Sequence, residues 1–382
     1  MSDEYKLLLV PEFSSSGGTR NYFYYLLNFY SSQGYEVSIA LCRNQLDDEI
    51  KSLLECYKCR FHIIPSRDKG FMRFLRYFPV NLLFDIISIL PIYIKENPDM
   101  IVVSNGTPGM FIGLILFPVK FIYTFHTYPL WTKIICLSSI QKTFLRIFLN
   151  RNKMLTTVSE YSKKQILDLW VPAQKSDYIK VIYNSVSKKC FVEGHIQNEN
   201  TNIYRVLTLG HVIWYKNPKI WIGVAQEVIR QRPDIPIEFI WAGEGNLLEE
   251  CNYIVKQMGL EGIKFIGHQS NVESLYKQST IYFQPSLLES HGISVVEAMA
   301  HGLPCVTSDV GGLPESVING ETGFICPPDD IECFVAQIIK LLDNEKFRYM
   351  MGQSGKSRAK AFFSSDVQNK KMISLYSSLL QN

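Results

Sequence analysis

Two carboxylates, Glu289 and Glu297, stand eight residues apart in the run PSLLESHGISVVEAMAHGLPCVTSDVGGLPESVINGETGFICPP, Pro285 to Pro328. Between them Ser290-His291-Gly292 reads as a turn. Ile293 to Met299 reads as the opening turns of a helix, with Val295, Val296 and Met299 apolar. A glycine loop that opens a helix offers free backbone N–H groups and the positive end of the helix dipole, which suits an anion such as a nucleotide diphosphate. A carboxylate just before the loop and another two turns into the helix suit hydroxyl groups on either side of that anion, because an ionised carboxylate accepts from adjacent OH groups. Sugar, diphosphate and ribose, in that order, outline a nucleotide sugar.

Two isolated glutamates at a helix start are ordinarily solvated side chains, and the length of the surrounding pattern argues against that bland reading here. The segment resembles the E-x7-E signature of the retaining glycosyltransferases of family 4. Gly311-Gly312-Leu313-Pro314-Glu315 and Asn319-Gly320-Glu321-Thr322-Gly323-Phe324 match the usual continuation of that signature. The resemblance covers essentially the whole chain and is strongest over residues 204–328. It implies an α/β protein of GT-B fold, with two Rossmann-like domains facing across a cleft and a C-terminal helix crossing back to the first. The boundaries expected are an acceptor-binding domain over 1–186, a linker over 187–203, a nucleotide-sugar-binding domain over 204–364 and the returning helix over 365–382.

The resemblance also implies roles. Gly17 and Gly18 face the donor phosphates, His126 contacts the transferred sugar, and Lys216 clamps the diphosphate. His268 lies beside the base, and His291, Gly292 and Ile293 form the phosphate-facing turn. Glu289 holds sugar hydroxyls and Glu297 the ribose. The chain departs from the family pattern at His211, where arginine is usual. A neutral histidine has one donor where arginine has a charged fork.

The wider composition bounds these expectations. A chain of 382 residues that is 47% hydrophobic is large enough for two domain cores. Residues 1–190 hold 23 Lys+Arg against 15 Asp+Glu, and the remainder holds 16 against 21. The basic first half fits attraction to an anionic membrane surface or a lipid-linked phosphate, with scattered solvated lysines as the competing account. No nucleic-acid partner is expected. The acidic start Met1-Ser2-Asp3-Glu4 is unlike a signal peptide. Residues 77–94 form the most apolar run, broken by Pro79, Asn81, Asp85 and Pro91, and read as a buried or interfacial helix. Within Ser66 to Lys95, Arg67, Lys69, Arg73 and Arg76 interleave with Phe71, Phe74, Tyr77 and Phe78. That mixture suits a helix lying on an anionic membrane or, slightly better, a surface helix with its aromatics in the core. The nine cysteines form no evident framework, and Cys56-Tyr57-Lys58-Cys59 is a lone pair. The chain therefore reads as cytoplasmic and reduced, with a peripheral place on the inner face of the membrane as a further expectation.

Strand and helix signals alternate along both halves. Tyr5–Val10, Glu36–Leu41, Phe61–Pro65, Asp99–Ser104, Phe121–Thr127 and Val181–Val186 read as strands in the first half. Pro11 to Arg20 forms a glycine-containing loop before a helix over Asn21–Ser32, a Rossmann-like opening without the full GxGxxG. His126 falls at a strand end, where open α/β sheets bind ligands. In the second half Tyr204–Gly210, Ile237–Ala242, Ile263–Gly267 and Ile281–Gln284 read as strands, and helices are expected over Ile331–Leu342, Glu345–Phe363 and Val367–Leu380.

The reaction these features suggest moves a hexose-like sugar from a nucleotide diphosphate to an acceptor hydroxyl of a glycan or lipid-linked glycan, with retention. No Asp-x-Asp occurs, so no metal cofactor is expected, and Lys216 with the helix N-terminus would stabilise the leaving phosphate. Hydrolysis by paired carboxylates is rejected because Glu297 lies two turns inside the helix. A sugar-nucleotide epimerase of the same fold and a noncatalytic nucleotide-sugar-binding subunit remain as alternatives.

Overall fold

The computed structural model describes residues 5–13, 18–65, 80–105, 110–127, 139–191, 203–259 and 261–380. The chain forms two compact units. Unit 1 comprises Met1–Tyr183 and the chain from Asn369 on, and unit 2 comprises Asn184–Gln368.

Unit 1 is built on seven parallel strands: β1 (Lys6–Glu12), β2 (Glu36–Cys42), β3 (Arg60–Ile64), β4 (Met100–Asn105), β5 (Lys120–Phe125), β6 (Lys153–Thr157) and β7 (Ile179–Val181). Their order is β3-β2-β1-β4-β5-β6-β7. Among the described residues the helices are α1 (Gly18–Ser32), α2 (Asp48–Cys56), α3 (Val80–Glu96), α4 (Ser139–Phe148) and α5 (Glu160–Leu169). Alternate residues of β1 enter opposite cores. Leu8 and Val10 pack with residues of α3, α4 and α5, whereas Leu7 and Leu9 pack with Phe23, Leu26, Leu27 and Tyr30 of α1. A strand covered on both faces has to be apolar throughout, and KLLLVPE nearly is.

Unit 2 repeats the plan with six parallel strands: β8 (Tyr204–Leu209), β9 (Ile237–Ala242), β10 (Ile263–Phe265), β11 (Ile281–Gln284), β12 (Cys305–Ser308) and β13 (Gly323–Cys326). Their order is β10-β9-β8-β11-β12-β13. The helices of this half are α6 (Pro218–Gln231), α7 (Leu248–Gln257), α8 (Val272–Lys277), α9 (Ile293–Ala300), α10 (Leu313–Ser316), α11 (Ile331–Asp343) and α12 (Glu345–Phe363). Trp221 and Trp241 anchor the core, and each buried indole N–H finds an acceptor, Thr208 Oγ1 at 2.7 Å and the Gly210 carbonyl at 2.8 Å.

Two expectations are corrected. The strand expected over Val181–Val186 is confined to Ile179–Val181. Val186 instead donates its N–H to the Phe363 carbonyl, because the chain has already left the first sheet for unit 2. Pro91 lies inside α3 without ending it, within the helix expected over 77–94. It lies on an exposed face, so the carbonyl that loses its partner meets water. Cys326 and Cys333, unpaired in the sequence reading, form a disulfide. Their loop, Pro327 to Glu332, folds the first turn of α11 back onto the end of β13 and sets the two Cα atoms 5.9 Å apart. Cys56 and Cys59 are free. The basic, aromatic stretch over 66–79 lies outside the described residues.

The final helix, α13 (Ser365–Leu380), seats Met372, Leu375, Tyr376 and Leu379 in the α1 side of the unit 1 core. Tyr376 packs edge-on to Tyr30, and the two hydroxyls lie 2.5 Å apart. Tyr376→Ala leaves a cavity and an unpaired Tyr30 hydroxyl, and we expect it to lower the stability of unit 1 by about 3–5 kcal/mol. Urea unfolding followed by tyrosine fluorescence measures this; an unchanged midpoint overturns it.

Candidate active site

The residues singled out from the sequence divide between the units, and each unit is described by itself. In unit 2 the strand-end loops carry most of them. β8 ends at Gly210, a 3-10 turn over Trp214–Lys216 follows, and Asn217 takes the left-handed conformation before Pro218 opens α6. The Tyr215 carbonyl in that turn accepts the N–H groups of Leu287 (2.7 Å) and Leu288 (3.4 Å). This stitch brings Lys216 beside Glu289, 73 residues away, and the Lys216 ammonium makes a close ion pair with Glu289 Oε2. Both side chains are largely buried, at 15% and 11% exposure. Burial makes such a pair costly to break from one side only.

The other side of the Glu289 loop is held by the double glycine. The Gly312 N–H donates to the Glu289 carbonyl at 3.1 Å. A Cβ added to Gly311, whose φ is +57°, would stand 1.7 Å from that carbonyl oxygen. Only glycine lets the two backbones meet this closely. Gly292 caps α9 in the left-handed conformation with φ +82°. Ile293 therefore occupies the first position of α9, where N–H groups have no partner inside the helix.

Glu297 lies one turn along α9, not the two turns expected from the sequence, because it stands four residues after Ile293. The Tyr276 hydroxyl donates to its Oε2 at 2.8 Å. Burial raises its pKa from the ordinary carboxylate value, and the Tyr276 hydrogen bond pulls the other way. His291 is 1% exposed, packs against the Phe363 ring, and has its pKa pushed down to about 3 by burial. It stays neutral at pH 7. His211 is exposed, with Nδ1 at 3.3 Å from the Glu244 carbonyl. His268 is exposed at the end of the loop following β10, and the Gly267 carbonyl just before it accepts the Gly243 N–H at 2.8 Å.

In unit 1 His126 follows β5 directly. Its Nε2 lies 3.1 Å from Ser104 Oγ, and its ring meets Tyr22 edge-on at 4.4 Å. Burial pushes its pKa down to about 4, so this ring too is neutral at pH 7. Gly18 is the first residue of α1, and an added Cβ there would touch nothing within 4 Å. Neither packing nor a positive φ demands glycine at that position. Gly17 lies outside the described residues.

Sequence reading missed the polar groups that hold the two glutamates. Gln284 Nε2 donates to Glu289 Oε2 at 2.7 Å, and Tyr276 holds Glu297. The available signal was an amide closing the otherwise apolar strand Ile281-Tyr282-Phe283. No group of three or more His, Cys, Asp or Glu able to hold a metal occurs among the described residues.

Comparison with known proteins bears on this geometry. Residues 16–189 match the model of Glycosyltransferase Family 4, and residues 194–358 match that of Glycosyl transferases group 1. The chain belongs to the glycosyltransferase family that these models describe. It is 25% identical over 296 residues to an N-acetyl-alpha-D-glucosaminyl L-malate synthase of Bacillus anthracis, covering 75% of each chain. It is 24% identical over 291 residues to an Escherichia coli UDP-Gal:alpha-D-GlcNAc-diphosphoundecaprenol alpha-1,3-galactosyltransferase, covering 71% of this chain and 74% of the relative. The crystal structure of a glycosyltransferase from Rickettsia africae superimposes with a TM-score of 0.82 at 18% identity, covering both chains fully. The fold is of the GT-B type, with two Rossmann-like parallel sheets.

The neutral, buried His291 makes stability depend on pH. Its folded pKa lies below the ordinary 6.5, so the unfolded chain gains a proton first as pH falls. Stability present above pH 6.5 is lost towards pH 3, by about 1.4 kcal/mol per pH unit. The raised pKa of Glu297 acts in the opposite sense above 4.5. In denaturant unfolding from pH 7 to pH 5, His291→Gln is expected to show a slope shallower by about one proton. Equal slopes in the two proteins overturn this.

Proposed function

We propose that this glycosyltransferase moves a sugar from a nucleoside diphosphate sugar to a hydroxyl of a glycan or lipid-linked acceptor, with retention of configuration and without a bound metal. The observation that carries the reading is the pairing of Lys216 with Glu289 just ahead of the N-terminus of α9, with Glu297 on the same helix. A diphosphate at that N-terminus meets unpaired N–H groups, the helix dipole and the Lys216 ammonium. Glu289 then accepts from sugar hydroxyls and Glu297 from the ribose 2′- and 3′-hydroxyls. Exposed His211 takes the place of the arginine that usually clamps the diphosphate, His268 lies at the base, and His291, Gly292 and Ile293 shape the turn around the phosphates.

In the reaction the bond between the anomeric carbon and the phosphate oxygen breaks, and the acceptor oxygen bonds to that carbon on the same face. The acceptor proton passes to the departing phosphate oxygen. Lys216 and the α9 N–H groups stabilise the charge developing there. The family resemblance gives His126, neutral at pH 7, to the transferred sugar, and Gly17 and Gly18 to the donor phosphates. The activity of the E. coli relative, with a UDP-sugar donor and a diphosphoundecaprenol-linked acceptor, supports a lipid-linked glycan and a place in surface polysaccharide synthesis.

A lipid-linked acceptor places the protein at a membrane. No helix among the described residues is long and apolar enough to cross one. On α3, however, Leu83, Ile87, Leu90 and Ile94 form one exposed apolar stripe, and α4 exposes Ile140 and Ile147. Both helices pack into the same core cluster. The carboxylates of α3, Asp85 and Glu96, are buried, α4 has none, and Lys95 and Arg146 are exposed. This surface suits peripheral contact with an anionic bilayer on the cytoplasmic side.

Two measurements test the reading. Titration with UDP-glucose, UDP-galactose, UDP-N-acetylglucosamine and GDP-mannose, with and without EDTA, is expected to find one donor bound equally well in both. Glu297→Ala should weaken that donor by about 10- to 100-fold. Binding with no glycosidic product favours the epimerase or the noncatalytic subunit, and EDTA sensitivity overturns metal independence. For the membrane, sedimentation with phosphatidylglycerol vesicles at low salt is expected to carry the protein down, and Ile87→Glu/Ile94→Glu should leave it in solution. Failure of the wild type to pellet overturns the membrane contact alone.

A further inference from the structure

The Glu289 carboxylate is held by one oxygen only. Lys216 Nζ and Gln284 Nε2 both donate to Oε2, whereas Oε1 receives no hydrogen bond from any described residue. The two donors differ in kind. Lys216 is a cation that the proposed function assigns to the donor diphosphate. Gln284 is 1% exposed and fixed. Its Oε1 accepts from the Tyr282 hydroxyl at 2.9 Å and from Ser294 Oγ at 3.0 Å. Its Nε2 also lies 3.3 Å from Ser286 Oγ. An ionised carboxylate only accepts, so the amide nitrogen is the atom that faces Glu289, and the two hydroxyls hold it in that orientation.

Ser294 ties this amide to the phosphate-facing end of the helix. It sits in the first turn of α9, and its carbonyl lies 3.1 Å from the Tyr276 hydroxyl, the same hydroxyl that donates to Glu297. One chain of polar groups thus runs from Lys216 through Glu289, Gln284, Ser294 and Tyr276 to Glu297.

We propose that Gln284 is a positioning residue that keeps Glu289 in place, with Oε1 presented to the sugar, when Lys216 turns to the diphosphate. The proposal rests on the donor reading given above. Without Gln284 the departure of Lys216 leaves a largely buried carboxylate with no donor, free to turn away from the sugar or to retain the lysine.

The test uses whichever of UDP-glucose, UDP-galactose, UDP-N-acetylglucosamine and GDP-mannose the wild type hydrolyses, together with UDP or GDP alone. Gln284→Leu is expected to lower kcat for sugar release by about 10- to 100-fold, while the Kd for the free nucleoside diphosphate changes by less than about 2-fold. In a Glu289→Ala background the same change should have no further effect, because Gln284 acts through Glu289. Ser294→Ala, at a partly exposed position, checks the link without burying an unpaired hydroxyl. Its expected loss is smaller and is likewise absent in Glu289→Ala. Losses that add in the double variants, or equal weakening of UDP or GDP, overturn the positioning role and leave the donor reading standing. A wild type that hydrolyses none of the four donors overturns the donor reading and this role with it.

Discussion

Unit 2's chemistry hangs on a backbone clamp around residues 287–292. On one side the Tyr215 carbonyl takes two N–H groups from the loop, and on the other the Gly312 N–H reaches the Glu289 carbonyl. Side chains with several rotatable bonds would otherwise lose Lys216 and Glu289 to solvent, where an exposed pair contributes little. Clamping the main chain removes most of that freedom. The ion pair then survives in a pocket where partial burial strengthens it. The same clamp directs Gly292 into the left-handed turn that starts α9, so the helix end and the carboxylate are positioned by one device.

How legible this was from the sequence depends on the kind of interaction. Strands buried on both faces are unbroken apolar runs, and Ile237–Ala242 and Ile281–Gln284 stand where such runs predict them. The long helices over Glu345–Phe363 and Ile331–Asp343 follow their periodic apolar residues and Asn or Asp caps. The two glutamates stood out only through the length of the surrounding pattern, since a pair of glutamates at a helix start is ordinarily solvated. Gln284 and Tyr276 were not, because a polar residue ending a strand and a tyrosine on a short helix have many uses. Only the fold shows which carboxylate each one meets. The disulfide escaped for a similar reason, since seven residues of separation say nothing about how a Pro-Pro loop turns. The strand expected near Val186 failed because local apolar character cannot tell that the chain has left its sheet to meet the Phe363 carbonyl.

The two buried histidines show how burial sets chemistry. His126 and His291 lie in different units, yet both are held neutral by desolvation rather than by a partner charge. A neutral imidazole is a hydrogen-bond group and not a cation, which leaves Lys216 as the charged donor beside Glu289.

The path of the chain has a consequence for how the molecule is made. Unit 2 is one uninterrupted stretch, Asn184–Gln368, whereas unit 1 needs α13, which follows unit 2 in the chain. On the ribosome the second unit in sequence is therefore the first that has all its parts. Unit 1 waits with the α1 face of its core open until Tyr376 and its neighbours emerge and reach Tyr30. A chain cut between α12 and α13 spares the six-stranded sheet and leaves the seven-stranded half without its closing helix.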